Sequence, residues 1–221
     1  MGGENRGNAN ITYLIILVNW GVFLYMFSSR MGFLQVLNDY GLIPTLFLRR
    51  FDTLNLLSYM FLHSDLSHLL VNSLALWGIG IIVEREINSP YFLLLYIASG
   101  VVSGLGHVAL NPSSNVPLVG ASGAIFGILA ILFLLMPYKF TMLLIIPLPS
   151  VIVGLIMVAM ELSAFLYRRD PYIAHDAHLT GFIFGCLSSF IIDHKKAFRG
   201  LIIALAVSLG LYMIGVYYQL F

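Results

Sequence analysis

Long apolar runs, each about as long as a membrane-spanning helix, alternate with short polar segments along this chain. A helix needs about 20 predominantly apolar residues to cross the hydrocarbon core of a bilayer. On this criterion the pattern predicts seven spans after a short polar N-terminal tail, residues 1–10. The predicted spans are Ile11–Phe27, Leu57–Val83, Tyr91–Leu110, Gly120–Met136, Pro149–Leu166, Ala177–Ile192 and Leu201–Phe221. We therefore predict an all-α, polytopic transmembrane helix bundle.

Three connections between the predicted spans carry further information. The long segment 28–55 mixes charged residues with many apolar ones, and irregular backbone cannot be exposed to lipid. We predict that it folds as an element of its own, partly in the membrane interface. Pro147 and Pro149 disfavour a continuous helix through Tyr138–Leu148, so span five begins near Pro149. Residues 193–221 are predicted to form a basic turn and the seventh helix.

The composition supports a membrane protein. Hydrophobic residues make up 60% of the chain and charged residues 10%, against about 25% charged in a soluble domain. We expect a lipid bilayer around the chain and no separate soluble domain. The net charge of +1 gives no basis for a nucleic-acid partner. The single Cys186 excludes an internal disulfide framework and a metal site built from several cysteines.

The distribution of basic residues hardly decides the orientation. With a cytoplasmic N-terminus, six basic residues lie inside, namely Arg6, Arg85, Lys139, Lys195, Lys196 and Arg199. Five lie outside, namely Arg30, Arg49, Arg50, Arg168 and Arg169. The basic residues of the long first loop carry less weight in this count if the loop folds as an element of its own. On that ground we expect the N-terminus inside and Ser122 near the outer face.

Ser122 lies at the polar start of span four, between Gly120 and Gly123. Small residues allow another backbone to come close, so one interpretation is a helix-packing face. The other is a nucleophilic serine, which requires a base that takes its proton. His178 is such a base, two residues into span six. Both residues start spans that enter from the same side under the expected topology.

Paired glycines predict that spans four and six touch. Gly123 and Gly127 have the same spacing as Gly181 and Gly185, and this spacing allows backbone contact between helices. Contact at these glycines would bring Ser122 within hydrogen-bond reach of His178. His175 and Asp176 do not both share the face of His178, and no acid is placed to orient its imidazole. The sequence thus suggests a Ser–His dyad and not a triad.

Span two offers groups that could stabilise an oxyanion. His68 and Asn72 are four residues apart and share one helical face. They could form an inter-helix hydrogen-bond pair, or they could join Ser122 and His178 in a polar pocket. In that pocket an imidazole N–H, the Asn72 amide and the Ser122 backbone N–H would receive the oxyanion of an acyl-transfer intermediate.

Two other site types stay open. A metal site could use histidines, although no HExxH motif supports it; the candidates are His63, His68, His175 and His178. A channel or transporter could line a path with His68, Asn72, His107 and Glu161. We expect His63 to be a hydrated interfacial residue and Glu161 to reach the interface or a backbone partner. A transporter would more typically contain an internal repeat, and we find none.

Three motifs in order resemble those of the rhomboid intramembrane serine proteases. The GxSG motif is Gly120-Ala121-Ser122-Gly123. The span-two signature is His68-Leu69-Leu70-Val71-Asn72, followed by Glu84-Arg85. The histidine motif is Ala177-His178-Leu179-Thr180-Gly181, with Gly185 after it. Each motif alone is weak, but the ordered set over residues 58–192 is specific.

The resemblance implies a six-helix core, residues 11–192, that hydrolyses peptide bonds of membrane-spanning substrates without a metal or cofactor. It implies Ser122 as nucleophile, His178 as general base and acid, and His68 and Asn72 as oxyanion-hole donors. Gly120, Gly123 and Gly181 would support this site. Span five would be the lateral gate for substrate. The expected location is the plasma membrane of a prokaryote, with the active site facing outward.

The chain departs from the family pattern at three places. Phe126 stands where many members have a tyrosine that packs on the histidine, so stacking is still possible but the hydroxyl is lost. The first loop contains no Trp and so lacks the Trp-Arg pair of many members. The seventh span gives a six-plus-one form. A catalytically inactive relative that binds transmembrane clients stays an alternative, although such relatives have usually lost the serine or the histidine.

Overall fold

A computed structural model describes residues 9–143, 146–167 and 173–219. Within these residues five helices are long and apolar enough to cross a membrane, and a sixth, shorter apolar helix lies among them. This confirms the predicted helical membrane bundle. The helices are α1 Asn10–Ser28, α2 Phe33–Tyr40, α3 Pro44–Arg50, α4 Asn55–Ser58, α5 Leu66–Ile87, α6 Ser89–Leu110, α7 Ser122–Leu135, α8 Ser150–Tyr167 and α9 His175–Tyr217. One antiparallel pair of strands, β1 Phe140–Leu143 and β2 Ile146–Pro149, joins α7 to α8.

The shortest apolar helix, α7, is the centre of the bundle. All of its 14 residues except Ser122 are buried. A helix that is apolar on every face has no surface suited to water and is buried by its neighbours. Helices α5, α6, α8 and α9 surround it. Ser122 is thus the end of an enclosed helix, and only this end reaches a partly open environment.

The start of span two was predicted wrongly. The sequence placed one helix over Leu57–Val83, but α4 and a 3-10 turn, Tyr59–Phe61, come first, and α5 begins at Leu66. Asp65 stops the helix on that side, because its extended backbone caps α5 and its carboxylate accepts the backbone N–H of His68 at 2.8 Å. Residues 57–64 therefore belong to the first loop, which the sequence had predicted to end at residue 55.

Two other connections differ from the sequence prediction. Pro147 and Pro149 do interrupt the helix, as expected, but the interruption is the strand β2, which pairs with β1 from Phe140↔Pro149 to Leu143↔Ile146. The predicted turn at residues 193–196 is only a kink, since Asp193 alone leaves the helical region inside α9. The Asp193 carboxylate accepts the Lys196 backbone N–H at 3.0 Å and caps the second half. At 43 residues, α9 is long enough for spans six and seven.

A buried carboxylate ties α1 to α5. Glu84 is 1% exposed and accepts the backbone N–H groups of Ile11 and Thr12 at 2.9 and 2.8 Å. It also accepts the hydroxyls of Thr12, at 2.7 Å, and Ser89. The first backbone N–H groups of a helix have no partner within the helix, so Glu84 supplies one from outside. The sequence placed Glu84 only at the end of a span and missed this role.

Glu84→Gln is expected to lower the free energy of unfolding by about 3 kcal/mol, because the amide removes the charge and turns an N–H toward other donors. The exposed carboxylate of Glu86, 3.1 Å from Lys196 Nζ, provides a matched control. Glu86→Gln should cost less than about 1 kcal/mol. Thermal unfolding in detergent micelles measures both. Equal melting temperatures for the two variants would contradict the anchoring role.

Candidate active site

The segment before Ser122 is held by backbone hydrogen bonds to the first loop. Leu42 and Leu118 exchange both N–H···O bonds, at 3.0 and 2.9 Å, and Gly120 N–H donates to the Tyr59 carbonyl at 2.9 Å. Gly120 has φ +122°, which is open to glycine and strained for other residues. The sequence predicted that this helix begins at Gly120, but because of this backbone conformation it begins at Ser122. The first loop thus fixes the approach of the chain to the serine.

Glycines bring α9 against α7 at backbone contact. A Cβ atom added at Gly181 would collide with the Gly123 carbonyl oxygen, and one at Gly185 would collide with the Gly127 carbonyl oxygen. These are the two glycine pairs that the sequence placed together. The collision is with backbone, which cannot give way as the end of a flexible side chain can. The close approach places the starts of both helices side by side.

Ser122 and His178 meet at these helix starts. His178 Nε2 lies 2.7 Å from Ser122 Oγ. Phe126, one turn after Ser122, stacks on the His178 imidazole with ring centroids 4.6 Å apart and planes 13° apart. Stacking of this kind restricts rotation of the imidazole, even without a hydroxyl at position 126. The geometry is that of a hydroxyl next to an oriented base.

His68 and Asn72 lie on the neighbouring helix α5, but they are not equivalent. A Cβ atom added at Gly120 would lie 2.7 Å from His68 Nε2 and 3.7 Å from Ser122 Oγ, so the His68 ring covers the glycine two residues before the serine. The other ring nitrogen, Nδ1, lies 3.1 Å from Ser64 Oγ. Asn72 is buried, and its amide donates to the His68 carbonyl at 3.0 Å. The His68 ring therefore lies beside the segment that leads to the serine, while the Asn72 amide is engaged by a backbone carbonyl of its own helix.

The start of α5, which carries His68, is fixed by a carboxylate that stays ionised. The Ser67 hydroxyl and the His68 backbone N–H hold the pKa of Asp65 at about 2, below its ordinary value. A lowered pKa means that the ionised cap stabilises the fold above the ordinary carboxyl pKa. That contribution is lost as the pH falls toward about 2. Throughout the neutral range the cap therefore remains intact.

His63 was expected to be hydrated, and this was wrong. Its side chain is fully buried and packs edge-on to His68, with ring centroids 5.0 Å apart and planes 67° apart. Burial lowers the pKa of His63 to about 4, so its imidazole is neutral near pH 7. His63 thus supports the His68 ring from behind and does not face water. A hydropathy pattern could not predict this burial, because His63 lies outside the spanning helices.

An acid does face the imidazole of His178, contrary to the sequence interpretation. Glu161 of α8 places Oε2 2.6 Å from His175 Nδ1 and 3.0 Å from His178 Nδ1. The expected interfacial or backbone role of Glu161 is therefore wrong. Asp176, which precedes His178 in sequence, lies elsewhere and contacts His107 Nδ1 at 2.8 Å and the Asn111 amide at 2.7 Å.

The residues considered for a metal or a channel fall into separate groups. His63 and His68 lie together, while His175 and His178 share Glu161. Among the described residues, Glu161, His175 and His178 are the one group whose ligand atoms lie close enough to surround an ion, all within 4.8 Å of one another. His107 binds Asp176 in a third place. The four-histidine metal set named from the sequence therefore does not assemble among the described residues.

Comparison with known proteins gives the family. The model of the Rhomboid domain matches residues 50–195, well over half of the chain. The chain belongs to the rhomboid family. This agrees with the resemblance of the three motifs, and together with the apolar helices it makes the chain an integral, multi-pass membrane protein.

Several curated proteins are similar to this rhomboid chain. Rhomboid protease GluP of Bacillus subtilis is 33% identical over 128 residues, which are 58% of this chain and 25% of GluP. YdcA of the same organism is 32% identical over 149 residues, 65% of this chain and 69% of YdcA. Mitochondrial Rhomboid protein 1 of Saccharomyces cerevisiae is 27% identical over 191 residues, 83% of this chain and 54% of that protein. The chain thus matches only a quarter of GluP but most of YdcA.

Proposed function

We propose that this rhomboid protein is an intramembrane serine endopeptidase that cleaves transmembrane segments of other proteins, with Ser122 as nucleophile and His178 as general base and acid. The observation that carries the proposal is the 2.7 Å contact between Ser122 Oγ and His178 Nε2 at the partly open end of a buried helix. Membership of a family that includes a protein named as a rhomboid protease supports it.

The chemistry follows from the two side chains. A serine hydroxyl is a weak nucleophile until a base takes its proton during attack on a carbonyl carbon. His178 Nε2 would accept that proton as Oγ bonds to the carbonyl carbon, and would then donate it to the leaving amine. A water molecule, deprotonated by the same nitrogen, would hydrolyse the acyl-enzyme. No cofactor or metal is needed for these steps.

The carbonyl oxygen becomes an oxyanion in the tetrahedral intermediate, and three donors are proposed to receive it. The backbone N–H of Ser122, at the first position of α7, is free of an intrahelical partner. The His68 ring lies over Gly120, next to the serine. The Asn72 amide, which donates to the His68 carbonyl in this structure, would have to rotate to take part. We therefore propose a larger role for His68 than for Asn72.

The proposed location is the plasma membrane of a prokaryote, with the active site opening to the outer side. Substrates would then be single-span or other transmembrane proteins that reach Ser122 from the bilayer or from the outer aqueous phase. A catalytically inactive, client-binding protein and a channel or transporter are the alternatives. Neither accounts for a hydroxyl and an imidazole placed in contact at the end of a buried helix.

Covalent labelling tests the reaction type without a natural substrate. A fluorescent alkyl phosphonate, which reacts only with an activated serine, is expected to label the wild-type protein on Ser122. His178→Ala should label at least about a hundredfold more slowly, because the base is missing. Ser122→Ala gives the background. Mass spectrometry identifies the modified residue, and labelling of the His178→Ala variant at the wild-type rate would refute the dyad.

A further inference from the structure

A carboxylate that the proposed mechanism leaves unused lies behind the histidine. Glu161 of α8 has a side chain 11% exposed, and its Oε2 faces two imidazole nitrogens of α9, His175 Nδ1 at 2.6 Å and His178 Nδ1 at 3.0 Å. Ionisable groups at membrane depth are costly, and they occur where a partner or a function requires them. Glu161 has two such partners, and one of them is the proposed general base.

The two ring nitrogens of His178 have different surroundings. Nε2 faces Ser122 Oγ at 2.7 Å. Nδ1 is buried and makes no hydrogen bond of good geometry within the described residues, because Glu161 Oε2, although at 3.0 Å, lies off the direction of the N–H bond. The terminal torsion of a glutamate side chain is soft, so the carboxylate can rotate relative to Nδ1–H while it stays at this distance. Glu161 thus has the position of an acid that orients the imidazole of His178, although its carboxylate is not aligned with the Nδ1–H bond in this structure.

The distances between Glu161 and the two histidines, His175 and His178, fit hydrogen bonds better than ligation of a common metal ion. Ligand atoms about 2.1 Å from a tetrahedral zinc ion lie about 3.4 Å from one another. The separations from Glu161 Oε2 to the two Nδ1 atoms, 2.6 and 3.0 Å, are those of N–H···O contacts. His175 holds the carboxylate from one side, and this leaves it next to the imidazole of His178 on the other.

We propose that Glu161 is a positioning residue for His178. It holds the proton of the neutral imidazole on Nδ1, so that Nε2 presents its lone pair to the Ser122 hydroxyl. When Ser122 Oγ bonds to the substrate carbonyl carbon, its proton moves to Nε2, and the carboxylate stabilises the resulting imidazolium. Glu161 stays ionised throughout, and Nε2 later gives the proton to the leaving amine. This inference rests on the proposed serine-protease function and converts the dyad into a Ser122–His178–Glu161 triad.

The test separates chemistry from binding and folding. The full-length protein in proteoliposomes is assayed with a single-span reporter substrate, and kcat, KM and the melting temperature are measured for Glu161→Gln, Glu161→Asp and wild type. Glu161→Gln is expected to lower kcat by about a hundredfold with little change in KM, since the amide cannot balance the imidazolium charge. Glu161→Asp should recover part of the loss. Glu86→Gln is the matched control with the same change of charge at an exposed position, and it should keep the wild-type kcat.

Each other outcome has a defined meaning. A wild-type kcat in Glu161→Gln would overturn the proposal. So would a loss that follows the melting temperature and is not reduced in Glu161→Asp, since this marks a structural role. If Glu161→Gln is destabilised, the rate of phosphonate labelling is divided by the amount of folded protein and compared with wild type. A rate equal to that of wild type would then overturn the proposal. A kcat that falls with EDTA and returns with zinc would assign the cluster to a metal instead.

A parallel Ser122→Ala assay separates the two hypotheses. If Ser122→Ala still cleaves the reporter, the proposed function fails. If Ser122→Ala is inactive while Glu161→Gln behaves as wild type, only the role of Glu161 fails.

Discussion

Ser122→Ala is expected to lower cleavage of a co-expressed single-span substrate by at least about a thousandfold, while the protein folds as before. The hydroxyl supplies the electron pair that attacks the carbonyl, and no neighbouring group can replace it from the same position. Alanine suits the first position of a helix, and among the described residues the hydrogen bond of Ser122 Oγ is with His178 Nε2. The loss should therefore be chemical and not structural.

Cleavage is measured as the ratio of product to full-length substrate, and thermal unfolding of the purified variant checks the fold. Ser113→Ala is a suitable control, because Ser113 is an exposed serine in the loop before α7. It should cleave at the wild-type rate. If Ser122→Ala retains cleavage, Ser122 is not the nucleophile. If cleavage falls equally in Ser122→Ala and Ser113→Ala, the cause is lower expression and not the lost hydroxyl.

Gly181→Val is expected to have the second-largest effect, lowering the free energy of unfolding by at least about 3 kcal/mol and abolishing cleavage. A Cβ atom at position 181 would meet the Gly123 carbonyl oxygen, which belongs to the backbone of the buried helix α7. Relief would require α9 to move away from α7, and this movement would separate His178 from Ser122. Stability and activity should thus fall together.

Gly210→Val provides the control for this prediction. Gly210 lies in the same helix α9, but a Cβ atom added there would meet no atom within 4 Å. Both variants carry the same change of side chain in a helix interior, so intrinsic helix propensity cancels between them. Melting temperatures in detergent micelles and cleavage of the reporter are measured for both. Similar melting temperatures would show that the α7–α9 contact is less rigid than its geometry indicates.

Much of the bundle could be predicted from sequence because lipid imposes strict rules. A spanning helix must be long and apolar, and five of the seven predicted spans begin and end within a few residues of the observed helices or of the kink in α9. The seventh was predicted to begin at Leu201, but the second half of α9 begins directly after Asp193. The pairing of Gly123 and Gly127 with Gly181 and Gly185 was also accessible, since close helix packing needs small residues at a fixed spacing. The start of α5 was missed because the apolar residues before Asp65 belong to the first loop.

The role of Glu161 could not be predicted, for a geometric reason. Glu161 and His178 lie on different helices, and hydropathy gives the length of a helix but not its rotation about its axis. A lone acid near the end of a span looks the same whether it faces the headgroups or a neighbouring imidazole. His63 presents the converse case, because it lies outside the spanning helices and is nevertheless fully buried.

The contacts that fix Ser122 also have a consequence for biosynthesis. Its approach is set by Leu42 and Tyr59, far earlier in the chain, and its base, His178, comes 56 residues later. Under the proposed mechanism, a nascent chain that has emerged only as far as α8 contains the nucleophile but lacks the group that activates it. Proteolytic competence would then arise late in membrane insertion, after the five preceding apolar helices have entered the bilayer. The order of the polypeptide would itself delay activity during synthesis.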